Sequence, residues 1–337
     1  MRAGIENWLL RHWYGSGQPP WYLRILEPVY RTAWQRAQNK KHAVYRPDLP
    51  LVIVGNITAG GSGKTPLVIR LCQLALDIDL KPGIASTGYG RQSRDTLLVG
   101  ADSDTQTSGD EPVLLALRTG VPVVVAARRR DAVKKLAEMD LDLVFSDDGL
   151  QQADLARDME FCVVDGERGL GNGHLIPAGP LRETAERLRQ VDFVVTNGEW
   201  PGKPEDVDVN VMHLKANVVR SLDDTKEYSI DEFRRDFTGT SIHAVAGIGN
   251  PQRFFRMLES LGIKAEPHGF SDHHSFAAED FETIGTGSAI IMTEKDAVKC
   301  RSLGLNNAWY VPVETHLSDE FEGIVKQHLA KLMKDSK

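Results

Sequence analysis

Apolar positions along this chain come in short runs that alternate with stretches of helical spacing. The first clear run, Leu51-Val52-Ile53-Val54-Gly55, is β-branched and feeds a glycine-rich turn. After the turn, Leu67, Val68, Leu71, Leu74 and Ala75 recur at helical intervals. Residues 121–127, 141–146, 159–165 and 192–197 read as further buried strands. Between and after them, 111–118, 131–139 and 184–189 read as helices. Strands that are apolar on both faces and alternate with helices predict a mainly parallel sheet, covered on both sides. Around 197–208 the chain turns polar and rich in Pro, Gly and Asp, so a boundary is expected there, with 209–219 as a β-like connector. Beyond it the strand–turn–helix theme returns: residues 243–246, the turn Gly247-Ile248-Gly249-Asn250-Pro251, and a helix over 252–261. Residues 289–292 then lead through Thr293-Glu294-Lys295-Asp296 into another short helix.

The turn after the first strand carries the most specific chemistry. Thr58-Ala59-Gly60-Gly61-Ser62-Gly63-Lys64-Thr65 lies between a strand and a helix. It matches a phosphate-binding P-loop except at its first position, where Thr58 stands for glycine. Glycines let backbone N–H groups close around phosphate oxygens, and the helix N-terminus adds partial positive charge. Lys64 can reach the β- and γ-phosphates, and Thr65 can ligate Mg²⁺. The expected fold class is therefore α/β: a P-loop NTPase-like, mainly parallel sheet with helices on both faces, plus a smaller α/β C-terminal domain. The expected division is 1–45, 46–208 and 209–337.

A P-loop needs acids on a neighbouring strand. Leu143-Val144-Phe145-Ser146-Asp147-Asp148-Gly149 ends an apolar strand in two carboxylates, one for the metal and one for a nearby group. Gly109-Asp110-Glu111-Pro112 opens a helix, where acids are ordinary N-terminal residues. Ser271-Asp272-His273-His274 sits on a loop and suits proton transfer near neutral pH. The long Gly- and Pro-rich segment 169–183 reads as a binding loop. Within it, Asn172 and Arg182 are the substrate candidates, with a plain ion pair to Glu183 or Glu186 as the other reading of Arg182.

The first fifty residues differ from the rest. Four of the six tryptophans (Trp8, Trp13, Trp21, Trp34) lie there, and eight basic residues face three acids. From Leu23, the positions Leu26, Val29, Tyr30, Ala33, Trp34 and Ala37 follow helical spacing, so this segment either lies in a membrane interface or packs on the core. A net charge of −7 argues against nucleic-acid binding. Cys72, Cys162 and Cys300 are far apart and read as reduced thiols. No apolar run is long enough to cross a bilayer as a helix, and the N-terminus lacks the h-region and cleavage site expected of a signal peptide.

Taken together, these blocks resemble the tetraacyldisaccharide 4'-kinase family, the lipid A 4'-kinases of Gram-negative bacteria. The resemblance covers nearly the whole chain. It rests on Val54-Gly55-Asn56-Ile57-Thr58 with Gly60-Gly61-Ser62-Gly63-Lys64-Thr65-Pro66, on Thr87-Gly88-Tyr89-Gly90-Arg91, and on Gly109-Asp110-Glu111-Pro112. Asp147-Asp148-Gly149-Leu150-Gln151, Val164-Asp165-Gly166, Leu175-Ile176-Pro177-Ala178-Gly179-Pro180-Leu181-Arg182-Glu183 and Asp272-His273-His274 complete it. Thr58 is then the family's own variant of the P-loop. Leu150 and Gln152 depart from the aromatic and histidine familiar after Asp-Asp-Gly.

The resemblance implies transfer of the ATP γ-phosphate to the 4'-hydroxyl of an acylated glucosamine disaccharide 1-phosphate, giving lipid IVA. It implies a catalytic pair at Asp110 and His273, with Glu111 helping to hold Mg²⁺, Asp272 orienting the pair and His274 as an adjacent alternative. A bilayer-resident substrate favours the interfacial reading of the N-terminus, at the cytoplasmic face of the inner membrane, by a protein expected to act as a monomer. Two rivals remain: a nucleotide-switch ATPase, although such ATPases of the partition type place a lysine where Ala59 stands, and a soluble small-molecule kinase, which the basic aromatic N-terminus opposes.

Overall fold

The computed structural model describes residues 2–335 except 16, 40–43, 283, 285 and 286, and the side chains of 2–7, 37, 39 and 335 are likewise outside the description. Lys40 and Lys41 of the basic N-terminal set therefore lie outside the described residues.

Among the described residues, fifteen strands follow one another as β1 (Leu51–Gly55), β2 (Pro82–Ser86), β3 (Leu97–Val99), β4 (Val123–Val125), β5 (Leu143–Asp147), β6 (Met159–Asp165), β7 (Phe193–Asn197), β8 (Val209–Lys215), β9 (Val218–Ser221), β10 (Glu227–Ser229), β11 (Ile242–Ala246), β12 (Glu266–Gly269), β13 (Ala289–Thr293), β14 (Ala308–Val311) and β15 (Glu314–His316). The helices are α1 (Arg2–Tyr14), α2 (Trp21–Asn39), α3 (Lys64–Leu76), α4 (Thr105–Ser108), α5 (Asp110–Thr119), α6 (Arg129–Ala137), α7 (Ile230–Asp236), α8 (Pro251–Ser260), α9 (Glu294–Cys300) and α10 (Asp319–Asp335).

Nine strands form the larger sheet in the order β15-β8-β7-β6-β1-β5-β2-β4-β3. The run from β8 to β4 is parallel, while the edge strands β15 and β3 are antiparallel. Strand β1 shows why. Val52 and Val54 enter one apolar cluster with Leu67 and Leu71 of α3, and Leu51 and Ile53 enter the opposite cluster with Val144 and Val164. Both faces are dry, so the strand reads as an unbroken apolar run. It sits mid-sheet between β5 and β6, where crossovers leave in opposite directions and a crevice opens at the strand ends.

The smaller sheet has the order β10-β9-β14-β13-β11-β12. The boundary expected at 208 is corrected here. Strand β8 pairs in register with β7 of the larger sheet, Val194 against Val209, so the chain crosses over only after Lys215. It also returns: β15 pairs antiparallel with β8, and Phe321, Val325 and Leu329 of α10 complete the larger core. Those three side chains lie four residues apart, one face of a helix, and burying each is worth about 1.5–3 kcal/mol. Residues 209–337 are therefore not one unit.

Helices α1 and α2 dock on the Gly/Pro-rich loop. Trp13 Nε1 donates to the Pro177 carbonyl at 3.0 Å, Tyr14 Oη to Ala59 O at 3.2 Å and Tyr30 Oη to Arg182 O at 3.1 Å. The outward face of α2 keeps Trp21 73%, Ile25 61% and Val29 65% exposed, at i, i+4 and i+8. No helix among the described residues is long and apolar enough to cross a membrane.

Candidate active site

The P-loop wall is built locally. Gly63 closes the loop at φ 97, a conformation that favours glycine, and a Cβ there would meet Asn197 Nδ2 at 2.6 Å. Asn56 staples the turn by donating to Thr58 O at 2.8 Å and Gly60 O at 3.3 Å. Lys64 Nζ lies 3.3 Å from Asn56 Oδ1 and 3.5 Å from Asp148 Oδ1. Thr65 follows on the first turn of α3 and lines the same cavity as Gly60, Gly61 and Lys64.

The paired acids at the end of β5 stand in different surroundings. Asp148 has φ 56, a left-handed backbone uncommon outside glycine but tolerated by aspartate. Burial would raise its carboxyl, but Lys64 and Arg182 outweigh burial and hold it well below the usual range. Asp147 is 1% exposed and its Oδ1 has no partner. Burial, then the charge of Glu111, pushes its carboxyl up to about 7.

Arg182 pairs neither with Glu183 nor with Glu186. Its Nη2 donates to Asp148 Oδ1 at 2.9 Å and to the Asn56 carbonyl at 2.9 Å, so it braces the P-loop from the side. The backbone does the same, with Ala59 N on Pro180 O at 2.7 Å and Arg182 N on Ile57 O at 2.7 Å. Asn172 is also corrected. Its amide donates to His12 O at 3.1 Å and Ala178 O at 2.9 Å, and its oxygen accepts from His174 N. Every polar group of that side chain is thus engaged, one with the end of α1 and two within the loop itself.

The opposite wall is assembled from remote segments. Asp110, 6% exposed, opens α5, and His273 sits at φ 57 on the loop after β12. His273 Nδ1 lies 3.1 Å from Asp110 Oδ2 and 3.2 Å from Oδ1. The histidine is raised: burial alone would lower it, and Asp110 reverses that. Asp110 is held well below the carboxylate range, because His273 and Lys295 outweigh its burial. Tyr89, of the Thr87–Arg91 block, packs its ring 5.0 Å from that of His273. His274 lines the same cavity, but its Nε2 bonds Asp280 Oδ2 at 2.9 Å, so it is His273 that pairs with Asp110.

Lys295 ties this wall together and was not singled out in the sequence. Its ammonium is 2.8 Å from Glu111, 3.6 Å from Asp272, 3.9 Å from Asp110 and 3.4 Å from His273 Nε2. Despite burial its pKa is raised, first by Glu111 and then by Asp110. Thr293-Glu294-Lys295-Asp296 proves to be the start of α9, with Thr293 as its cap. Its acids are not exposed: Glu294, 6% accessible, binds Arg118 of α5 at 2.6 Å, and Asp296, 0% accessible, accepts from Gly247 N at 2.9 Å.

The two walls face one cavity of 1620 Å³ lined by the P-loop, His273, Lys295 and also Leu9 and Leu10 of α1. The Gly247–Pro251 turn reaches across it, and a Cβ on Gly249 would stand 2.6 Å from Gly61 N. Arg253 to Asp165 at 2.7 Å and Arg256 to Glu167 at 2.6 Å fasten α8 to the larger body.

A glycine-wrapped anion cradle after the central strand, paired acids on the next strand, and a carboxylate–imidazole pair facing them define an α/β P-loop kinase. The family model described as Tetraacyldisaccharide-1-P 4'-kinase matches residues 20–330. The chain is 43% identical to the tetraacyldisaccharide 4'-kinase of Alcanivorax borkumensis, over 98% of this chain and 99% of that one. It is 41% identical to the enzyme of the same name from Pseudomonas fluorescens, over 98% of each. The crystal structure of LpxK from Aquifex aeolicus in complex with ATP superimposes with a TM-score of 0.75 at 25% identity, covering 98% of this chain and 99% of that one. The chain belongs to the tetraacyldisaccharide 4'-kinase family.

Proposed function

We propose that this protein transfers the γ-phosphate of ATP to the 4'-hydroxyl of a tetraacylated glucosamine disaccharide 1-phosphate, forming lipid IVA in lipid A biosynthesis. The observation that carries the reading is the Asp110–His273 pair, 3.1 Å apart, whose imidazole lines the same cavity as Lys64.

The backbone N–H groups of Gly60 to Thr65 and the Lys64 ammonium take the phosphates, and Arg182 keeps Asp148 against Lys64. Asp110 accepts the proton of the attacking hydroxyl. A loose phosphoryl-transfer transition state asks little of its base, so a strongly ionised carboxylate suffices, as in other kinases that use aspartate. His273 orients Asp110 through Nδ1–H, and Lys295 keeps Asp272, Glu111 and Asp110 from repelling one another.

The residues present fit Mg²⁺. Asp147 offers an unpartnered, buried oxygen whose carboxyl is raised to about 7 by burial and then by the charge of Glu111, and Thr65 is the P-loop hydroxyl. Thr65, Asp147 and Glu111 would hold the ion. There it would neutralise charge on the β- and γ-phosphates.

The exposed stripe Trp21–Ile25–Val29 on α2, beside Arg24 and Arg31, suits contact with the bilayer at the cytoplasmic face of the inner membrane. Leu9, Leu10 and Trp13 carry apolar surface from that side into the cavity. The test is incubation with labelled ATP, Mg²⁺ and the disaccharide 1-phosphate in detergent micelles. A second phosphate on the lipid, absent with Lys64→Ala, supports the proposal. ATP hydrolysis without lipid phosphorylation overturns it.

A further inference from the structure

Away from the cavity, on the edge of the smaller sheet, β11 and β12 present three side chains of metal-ligating type to one another: His243, Glu266 and His268. The register explains the meeting. His243 pairs with Glu266, and Val245 with His268, so both β12 residues share the face on which His243 stands. His243 Nδ1 lies 2.9 Å from His268 Nε2 and 3.6 Å from Glu266 Oε2, and the three ligand atoms all fall within 4.8 Å of one another. Ligands at about 2.0–2.2 Å from one tetrahedral zinc ion stand roughly 3.3 Å apart, so only small side-chain rotations separate this arrangement from a coordination sphere.

Two further features fit ligation. The far nitrogen of His243, Nε2, is 3.4 Å from Ser241 Oγ, and a hydrogen bond there leaves Nδ1 with a lone pair aimed at the cluster. Outer partners of this sort fix the tautomer of metal-bound histidines. His243 is 8% exposed and Glu266 lies open at the sheet edge, which gives an anchored ligand and an entry path.

We propose that His243, Glu266 and His268 form a binding site for a divalent transition cation of the zinc type, with water completing the tetrahedron. Imidazole and carboxylate ligands suit zinc, cobalt, nickel or copper, and the two histidines disfavour magnesium or calcium. The site would clip β12 to β11. Strand β12 ends at Gly269, Phe270 N bonds Ala246 O at 2.8 Å, and the chain then runs directly into the Asp272–His273 loop. An ion here would steady the strand that carries the catalytic imidazole without touching the reacting groups.

The probe is Co²⁺ added to chelator-treated, full-length protein, with excess Mg²⁺ and a non-hydrolysable ATP analogue occupying the cavity. Visible d–d absorption reports four-coordinate ligation, and Zn²⁺ competition measures affinity. The expected result is one equivalent bound, displaced by one Zn²⁺, and affinity reduced about 10–100-fold or more in His268→Gln and in Glu266→Gln. Thermal melts without metal check that both variants fold, and the wild type alone should gain melting temperature with Zn²⁺. Failure of the wild type to give the tetrahedral spectrum, or equal binding by folded His268→Gln, overturns the proposal. If either variant fails to fold, Ser241→Ala replaces it: unchanged Zn²⁺ affinity there counts against the site, and a loss counts for it.

Discussion

The P-loop wall and the Asp110–His273–Lys295 wall face the same cavity but are made differently. The first is local. Asn56, Gly60, Gly63, Lys64 and Thr65 lie on one strand–turn–helix, and the braces at Asp148 and Arg182 only stiffen it. The second is a meeting of strangers: α5 of the larger body supplies Asp110, and His273, 163 residues away, comes from the smaller one. A local wall holds phosphate through backbone geometry that persists whatever the rest of the chain does. A wall shared between two bodies exists only while they are together, and its charges balance only there. Lys295 shows this most clearly, since its single cation lies within 4 Å of three carboxylates.

The sharpest way to break the contrast is Lys295→Met. Removing the cation leaves buried carboxylates facing one another, and loss of one partner from a buried pair costs about 3–5 kcal/mol. Denaturant melts should show destabilisation of about that size. A change under about 0.5 kcal/mol would mean the remote wall does not depend on this charge.

Gly249→Ala tests the seam between the walls. The added methyl has no room against Gly61 N, and the two backbones must part at a cost of about 1–3 kcal/mol. Melting and the KM for ATP should both worsen. An unaffected KM would detach the Gly249 turn from the phosphate cradle.

Next comes pH. Asp110 is depressed, so its contribution to stability is present above its ordinary 3.8 and is lost as pH falls towards the folded value. His273 is raised, so its contribution is complete below its ordinary 6.5 and is lost as pH rises through the folded value. A double-mutant cycle with Asp110→Asn and His273→Gln should therefore show coupling of about 1 kcal/mol near pH 6 that fades as pH rises through the folded value of His273. Coupling that grows with pH would reverse the assignment of charges.

The smallest effect on stability belongs outside both walls. Trp21→Ser with Ile25→Ser and Val29→Ser should change melting by less than about 0.5 kcal/mol per site, because the stripe is exposed, yet weaken partitioning onto anionic liposomes. Unchanged partitioning would remove α2 from membrane contact.

How much of this was legible in the sequence follows the same line. The P-loop, the β5 acids and strands β4 to β7 were readable because their signals are contiguous: an apolar run, a glycine turn, a carboxylate at a strand end. The Asp110–His273 pair was readable only through resemblance, since helix-N-terminal acids and a loop Asp-His are individually commonplace. Lys295 was not readable, because nothing local says which acids a lysine at the start of α9 will meet. Arg182 and Asn172 were placed on the right loop, but their partners, Asp148 across the sheet and the end of α1, are fixed by tertiary packing. The boundary at 208 failed for a related reason. A polar stretch marks a loop, but not whether the next strand stays in its sheet, and β8 stays. The return of α10 to the first core was hidden because an amphipathic helix does not name the surface that covers it.

The central claim is that the remote wall performs the chemistry while the local wall holds the nucleotide. Single-turnover transfer from labelled ATP to the disaccharide 1-phosphate by Asp110→Asn, with ATP affinity measured on the same protein, tests it most directly. The account predicts a rate lower by about 10²–10⁴-fold with ATP binding within about twofold of wild type. A near-normal rate, or a loss confined to ATP affinity, would contradict it.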